Sequence, residues 1–423
     1  MVRNIQKGVK KQKGWGKMKV TFDRDILNDA VTPAMSAVSS KNTIAAIEGI
    51  QIRTAGDKCI LSSFDLEKGI RCEIPAQVEE EGCYIINGAK LTQIIRSMPG
   101  SITISVGKDT VAKIRSGRSE FTLHALDGEE FPTTPMLEGD WGFTIAQCEL
   151  RDMISRTSYA VASNDPRPAL NGLFFRIRDN KITAAASDSF RLAVSEKTVN
   201  LSESSQENKT LDLNMIVPGK TIGELMKMLR DTEEGVRILA TRKHIIFFFE
   251  KEKLYFYSRL IDAQYIDYEK LIPKNATIFA EVSTSLLRES LERAALVTED
   301  RALGQAKSHV KFHFGEDILE VSSVSANGSV FDEINIEKEG GELDIGFNCR
   351  YVLDALRAAN TERIKLSLVS QLMAMVIEPA KDEERTEEKK EDGADGAKAK
   401  KKRDTGVESE SFIFLVVPIR MNS

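Results

Sequence analysis

One order of elements occurs three times along this chain, and that recurrence limits the fold more than any other feature. A short alternating segment (19–22, 142–145, 277–282) leads each time into an amphipathic stretch (27–40, 148–162, 284–298). Leu150, Ile154 and Val161 fall on one helical face, as do Leu287, Leu291, Ala294 and Ala295. Alternating strands broken by turn residues follow: 50–52 with 59–62, 172–176 with 182–186, and 310–314 with 318–321. A second amphipathic helix comes next (88–98, 219–230, 348–359), and each third closes in a meander (102–126, 236–261, 364 to the C-terminus). The second helices begin at 88, 219 and 348, intervals of 131 and 129 residues. Chance rarely preserves both the spacing and the order, so the chain reads as a triplicated unit.

Its 423 residues suit roughly three domains at about 150 residues each. Two helices against many short strands predict α+β domains, each with its helices packed on one face of an antiparallel sheet. The expected domains are 18–137, 138–276 and 277–423, with joints at 131–140 and just after Pro273. No stretch of 18 apolar residues offers a membrane span, and the N-terminus lacks the apolar core of a secretory signal. Five scattered cysteines without a CxxC motif fit a reducing cytoplasm, where the protein is expected to reside.

Two segments stand apart. Residues 1–17 hold six bases and no acid; residues 381–410 hold 11 acids and nine bases with almost nothing apolar. Neither buries enough surface to offset the entropy of ordering, so both are expected to be disordered. The remaining body has 44 bases against 53 acids. Yet the six expected helices hold 11 bases and seven acids, which leaves the strands and loops acidic. Basic residues also favour helix surfaces in general. Triplication, however, places equivalent helices on equivalent faces, so a basic helical side that accepts a polyanion becomes a competitive reading.

Chemistry finds little support. Gly219-Lys220-Thr221 ends like a phosphate-binding loop, but Asn214 stands where the earlier glycine is required, so a helix start is expected there. Asp188 lacks a flanking histidine or second carboxylate. His309 and His313 share a strand face with no acid or cysteine to complete a metal set. No catalytic residue, metal or cofactor is expected.

Several strings carry a resemblance: MKVTFDRDILNDAV at 18–31, RPALNGLFF at 167–175, AASDSFRLAV at 185–194, SRLIDAQYIDYEKLIP at 258–273, FNCRYVLDAL at 347–356 and VVPIRM at 416–421. With the three repeats, the chain resembles the bacterial sliding-clamp family, the beta subunit of DNA polymerase III, over 18–421 apart from the charged insert. The resemblance implies half of a closed ring: two chains joined head to tail, with helices lining a channel around duplex DNA. It implies a non-catalytic processivity factor that tethers the replicative polymerase, the clamp loader, repair polymerases and ligase through short linear motifs.

The resemblance also implies sites. A peptide pocket between the second and third domains maps to Leu170, Ser187, Asp188, Ser189, Phe190, Arg191, Leu192, Pro273, Val417, Pro418, Ile419, Arg420 and Met421. DNA-channel contacts map to Lys41, Asn164, Arg167, Asn348 and Tyr351, and the helix bases Arg96, Lys220 and Lys227 join them. Ring closure maps to Phe121 and Leu123 against Leu296 and Val297 of the other subunit. For Leu170, Leu192, Val417 and the closure residues, ordinary core is an equally open reading.

There are departures. Ser189-Phe190 replaces the glycine and histidine or tyrosine frequent in the family, which bears on peptide preference. Asn422 and Ser423 pass the family's usual end, and Met18 resembles its usual start. A genuine basic tail at 1–17 is expected, as a hypothesis, to add salt-sensitive DNA affinity; an unchanged salt slope after its deletion refutes this. The insert joins the strands leading to the pocket and is expected to regulate access, an idea that unchanged peptide affinity after its excision would remove. The rival function is a non-clamp DNA-binding regulator, which would need one helix dense in Arg, Asn and Gln; footprinting separates the two.

Overall fold

Asp23 starts the first helix in the computed structural model of the chain, which describes residues 16–39, 43–132, 141–178, 180–198, 212–298, 309–325, 328–380 and 411–421. Lys41, Asn422, Ser423, most of the joint 131–140, most of the N-terminal extension and the whole insert 381–410 lie outside the described residues. The Asp23 carboxylate accepts from the amides of Asp25 (2.9 Å) and Ile26 (3.2 Å), so α1 is Arg24–Ala34 rather than 27–40. Pro33 lacks an amide proton, and the segment tightens into the 3₁₀ turn Met35–Ala37. The other helices are α2 (Gly88–Ser97), α3 (Gln147–Thr157), α4 (Gly219–Met228), α5 (Thr284–Thr298) and α6 (Cys349–Ala359). Gly219 thus opens a helix, as expected. Asn348 caps α6 by accepting from the Arg350 amide at 3.0 Å.

Among the described residues, 26 strands form three antiparallel sheets of 13, nine and four strands. They belong to two compact units that divide the central repeat. One unit takes the described residues of Met1–Leu150 and Gly223–Ile261, the other those of Arg151–Asn200, Thr210–Ile222 and Asp262–Ser423. In the first, Leu254–Arg259 pairs with Lys68–Pro75 and joins the sheets of repeats one and two. In the second, Arg191–Thr198 pairs with Ser411–Val416 and joins repeats two and three.

Alternation builds both cores. Within the first unit Ile246, Tyr257, Phe64 and Phe131 pack together over the seam. Within the second, Phe412 and Phe414 stack with ring centres 4.5 Å apart, and Tyr159 meets Phe414 edge-on. Each such ring contributes about 1.5–3 kcal/mol by leaving water.

Candidate functional site

The segment from Ser187 to Leu192 forms a tight turn at the seam of the second unit. Asp188 accepts from the amides of Phe190 and Arg191, both at 3.0 Å, and Ser187 Oγ donates to the Arg191 carbonyl at 2.8 Å. Asp188 is therefore the cap of a turn. The turn puts Ser189 at φ +79°, in the left-handed region that favours glycine. Ser189 Oγ accepts a hydrogen bond from Arg167.

Arg191 holds this junction together. Its guanidinium donates to Asp188 (Nε, 2.9 Å) and to Asp354 of α6 (Nη1, 2.7 Å), and it lies near the faces of Tyr351 (4.7 Å) and Tyr159 (5.2 Å). A planar fork suits this arrangement, since it forms directed bonds at its edge while presenting its face to rings. Phe190 stacks on Tyr351 with centroids 6.1 Å apart. Tyr351, assigned above to the DNA channel, accordingly belongs to the same cluster as the pocket turn.

The apolar residues sort into floor and lip. Leu170 and Leu192 are buried, as the ordinary-core reading allowed, and Pro273 is half-buried. Phe190 (56% exposed) and Val417 are open to solvent, and the Val417 amide donates to the Phe190 carbonyl at 2.9 Å. Exposed Leu372 and Met373 close the set. They occupy the turn just before Met375, the register partner of Val416, which places them beside Val417. Sequence reading missed both because an apolar pair in a hairpin turn has no periodicity to mark it. Beyond Val417 the chain returns to the sheet: the Ile419 amide donates to the Gly346 carbonyl at 2.8 Å, and Met421 packs over Gly346, where any Cβ would collide. Pro418 is half-buried and Arg420 exposed.

The insert leaves from the opposite end of these strands. Met375 pairs with Val416 at the lip, whereas Ala380 and Ser411 stand five residues away, about 17 Å along the strand.

The cation assignments also shift. Arg167 clasps Asp165 through two bonds of 2.9 and 3.0 Å, which hold that carboxyl below its ordinary range, and it lies beside the pocket turn. Asn164 is exposed at φ +58°. Lys227 pairs with Glu224 at 3.0 Å. Arg230 falls beyond α4, and Arg156 is buried over the Phe412 ring. The helices as built hold 11 bases and eight acids, so their excess is three, one fewer than the sequence reading gave. Arg24, Lys227, Arg293 and Arg357 are ion-paired. Lys90 and Arg96, Arg151 and Lys220, and Arg288 and Arg350 have no ion pair among the described residues: two per repeat. The sequence reading counted all six among its helix bases and singled out Arg96 and Lys220.

Among the described residues, two of the open sheet edges carry exposed phenylalanines. Ser119–Asp127 pairs with Val111–Ser116 on one side but with Cys83–Asn87 only at 125–127, leaving 119–124 free on the other side. Gly328–Asn335 ends the four-stranded sheet. Phe121 on the first edge is exposed, as are Phe331 on the second and nearby Leu296, at 86%. Leu123 and Val297 are half-buried. These are surface side chains, not ordinary core. His313 does have an acidic neighbour: Asp344 lies 2.7 Å from its Nδ1 and also pairs with Lys311 at 2.9 Å.

Known proteins match this architecture in sequence order. Residues 18–135 match the N-terminal domain of the DNA polymerase III beta subunit, 144–267 its central domain and 269–389 its C-terminal domain. The beta sliding clamp of Staphylococcus epidermidis is 29% identical over 381 residues, covering 88% of this chain and 98% of that protein. The DNA polymerase sliding clamp of Bacillus subtilis superposes with a TM-score of 0.83 at 28% identity, over 96% of this chain and all of the other. A Pseudomonas aeruginosa sliding clamp bound to griselimycin gives 0.80 at 25% identity, with the same coverage. Three domains in the same order along almost the whole length place this chain in the DNA polymerase III beta subunit family, the bacterial beta sliding clamps.

Proposed function

We propose that the chain is the processivity clamp of a replicative DNA polymerase, a non-catalytic protein that encircles duplex DNA in the cytoplasm and tethers the polymerase to it. The observation that carries this reading is the pair of unpaired helix cations in each of three successive clamp domains. Six mobile phosphate contacts, sequence-independent and salt-sensitive, suit sliding better than fixed docking. The matched relatives lend no support to a non-clamp regulator. The domain limits are 18–137, 138–276 and 277–423.

These two edges support a head-to-tail homodimer. Pairing 119–124 of one copy with Gly328–Asn335 of another is a heterologous contact, which makes a ring when the rotation between copies closes and covers edges otherwise prone to aggregation. Phe121 and Leu123 would meet Leu296 and Val297 across it. Phe190, Val417, Leu372 and Met373 form the lip of a groove for short linear motifs of the polymerase, clamp loader, repair polymerases and ligase.

The test compares retention on circular and linear duplexes after loading. The ring stays on the circle and runs off free ends; equal retention would end the clamp reading.

A further inference from the structure

The turn at 65–68 in the first unit repeats the aspartate cap and the positive φ of the turn at 188–191 in the second. Asp65 accepts from the amides of Glu67 (3.0 Å) and Lys68 (2.8 Å) and pairs with the Lys68 ammonium, as Asp188 does with Phe190 and Arg191. Leu66 sits at φ +78°, Ser189 at +79°. The Arg259 amide donates to the Glu67 carbonyl at 2.8 Å, the counterpart of Val417 donating to Phe190. Ser258 pairs with Lys68 as Val416 pairs with Arg191, and Ile245 pairs with Ser258 as Met375 pairs with Val416. Arg242 and Lys243 therefore hold the places of Leu372 and Met373, and the Leu260 amide ties down the Lys243 carbonyl at 2.7 Å.

The frame is the same and the chemistry is inverted. Where one junction presents Phe190, Val417, Leu372 and Met373, the other presents Glu67, Arg259, Arg242 and Lys243. Arg242, Lys243 and Arg259 are exposed and have no ion pair among the described residues. Leu66, beside Glu67 in the turn, is 48% exposed.

We propose that this second junction binds an acidic peptide: a short extended segment whose carboxylates meet Arg242, Lys243 and Arg259 and whose single large apolar side chain covers Leu66. Opposite charge selects such a segment and speeds its encounter. Guanidinium groups pair with carboxylates through directed forks. A nucleic-acid backbone would satisfy the cations but leave Leu66 uncovered, so the exposed leucine favours the peptide.

The test uses the full chain and a fluorescein-labelled 12-residue peptide of glutamates around one central leucine, with its all-glutamine counterpart as control. Anisotropy should report binding of the acidic probe and none of the control. R242E/K243E should weaken binding at least tenfold. Leu66→Ser, which leaves every charge in place, should weaken it about threefold, and Phe190→Ala should leave it unchanged. Unaltered affinity in R242E/K243E overturns the proposal. So does a tenfold loss in Phe190→Ala, which would seat the probe at the other junction and leave the clamp reading untouched. A loss of duplex binding in R242E/K243E without a loss of probe binding would reassign the cations to phosphate.

Discussion

The two junctions differ most in what anchors their matching turns. Arg191 spans two carboxylates and faces two rings, whereas Lys68 meets Asp65 alone. Both cations are largely buried, with 12% and 15% of their side chains exposed. The aspartate cap and the positive φ are therefore the part of the turn that the backbone demands. The cation three residues after the aspartate is free to be a simple counter-charge or a clasp between domains. Arg191 ties the central repeat to α6 of the third.

The sharpest way to break this comparison is to delete both cations. Arg191→Met strips Asp354 of this ion pair and leaves Asp188 with its two amides, and a buried pair that loses one partner costs about 3–5 kcal/mol when fully shielded. Because the two acids retain some contact with water, a loss of about 2–3 kcal/mol is expected. Lys68→Met strands one carboxylate that two amides still satisfy, so about 1 kcal/mol is expected there. Thermal unfolding of the two variants measures both. Equal losses would show that Arg191 is no clasp.

A smaller effect sharpens the shared part. An L-residue in the left-handed region costs about 1–2 kcal/mol, and the extra freedom glycine loses on folding returns roughly half of any relief. Leu66→Gly should therefore stabilise by about 0.5 kcal/mol. Ser189→Gly should gain less, since it gives up the contact with Arg167. Chemical denaturation resolves the difference, and a destabilised Leu66→Gly would mean that Leu66 is held by packing rather than tolerated by the turn.

Much of this was legible in the sequence. Period and spacing gave the three repeats and six helices, because the face that α2, α4 and α6 bury recurs every turn. Helix ends were less legible. α1 begins at Arg24 because Asp23 caps it, a signal present in the sequence and passed over in favour of the apolar run from Leu27. The buried Leu170 and Leu192 beside the 187–192 turn came with the family strings. The lip at Leu372 and Met373 did not, nor did the identity of the two turns, since FDLEK and SDSFR share one aspartate and a terminal base. Their equivalence lies in dihedral angles and main-chain bonds, which one-letter patterns do not record. Which helix cations remain free was equally hidden, because Arg293 finds its partner on a distant strand at Asp332.

His244 offers the finest test of the contrast. Burial, then Arg259 and then Lys243, push its imidazole below the ordinary value of 6.5. A histidine whose folded value is depressed takes its proton first in the unfolded chain. Its contribution to stability is thus complete above about pH 6.5 and falls away as the pH drops through that value toward the folded one. Arg259→Ala removes one cause, so denaturation midpoints compared at pH 7.5 and 5 should show a smaller acid-side loss than in the parent protein. The sign reverses when an acidic segment occupies the lip. Carboxylates beside His244 favour its charged form, and they remain ionised down to about pH 5. The glutamate probe should therefore bind tighter at pH 5.5 than at 7.5, with proton uptake. The turn and lip of the other junction contain no histidine, and a linear-motif peptide bound there should hold its affinity across the same interval. A flat profile at both junctions would separate His244 from the basic lip and leave Arg242, Lys243 and Arg259 to act without it.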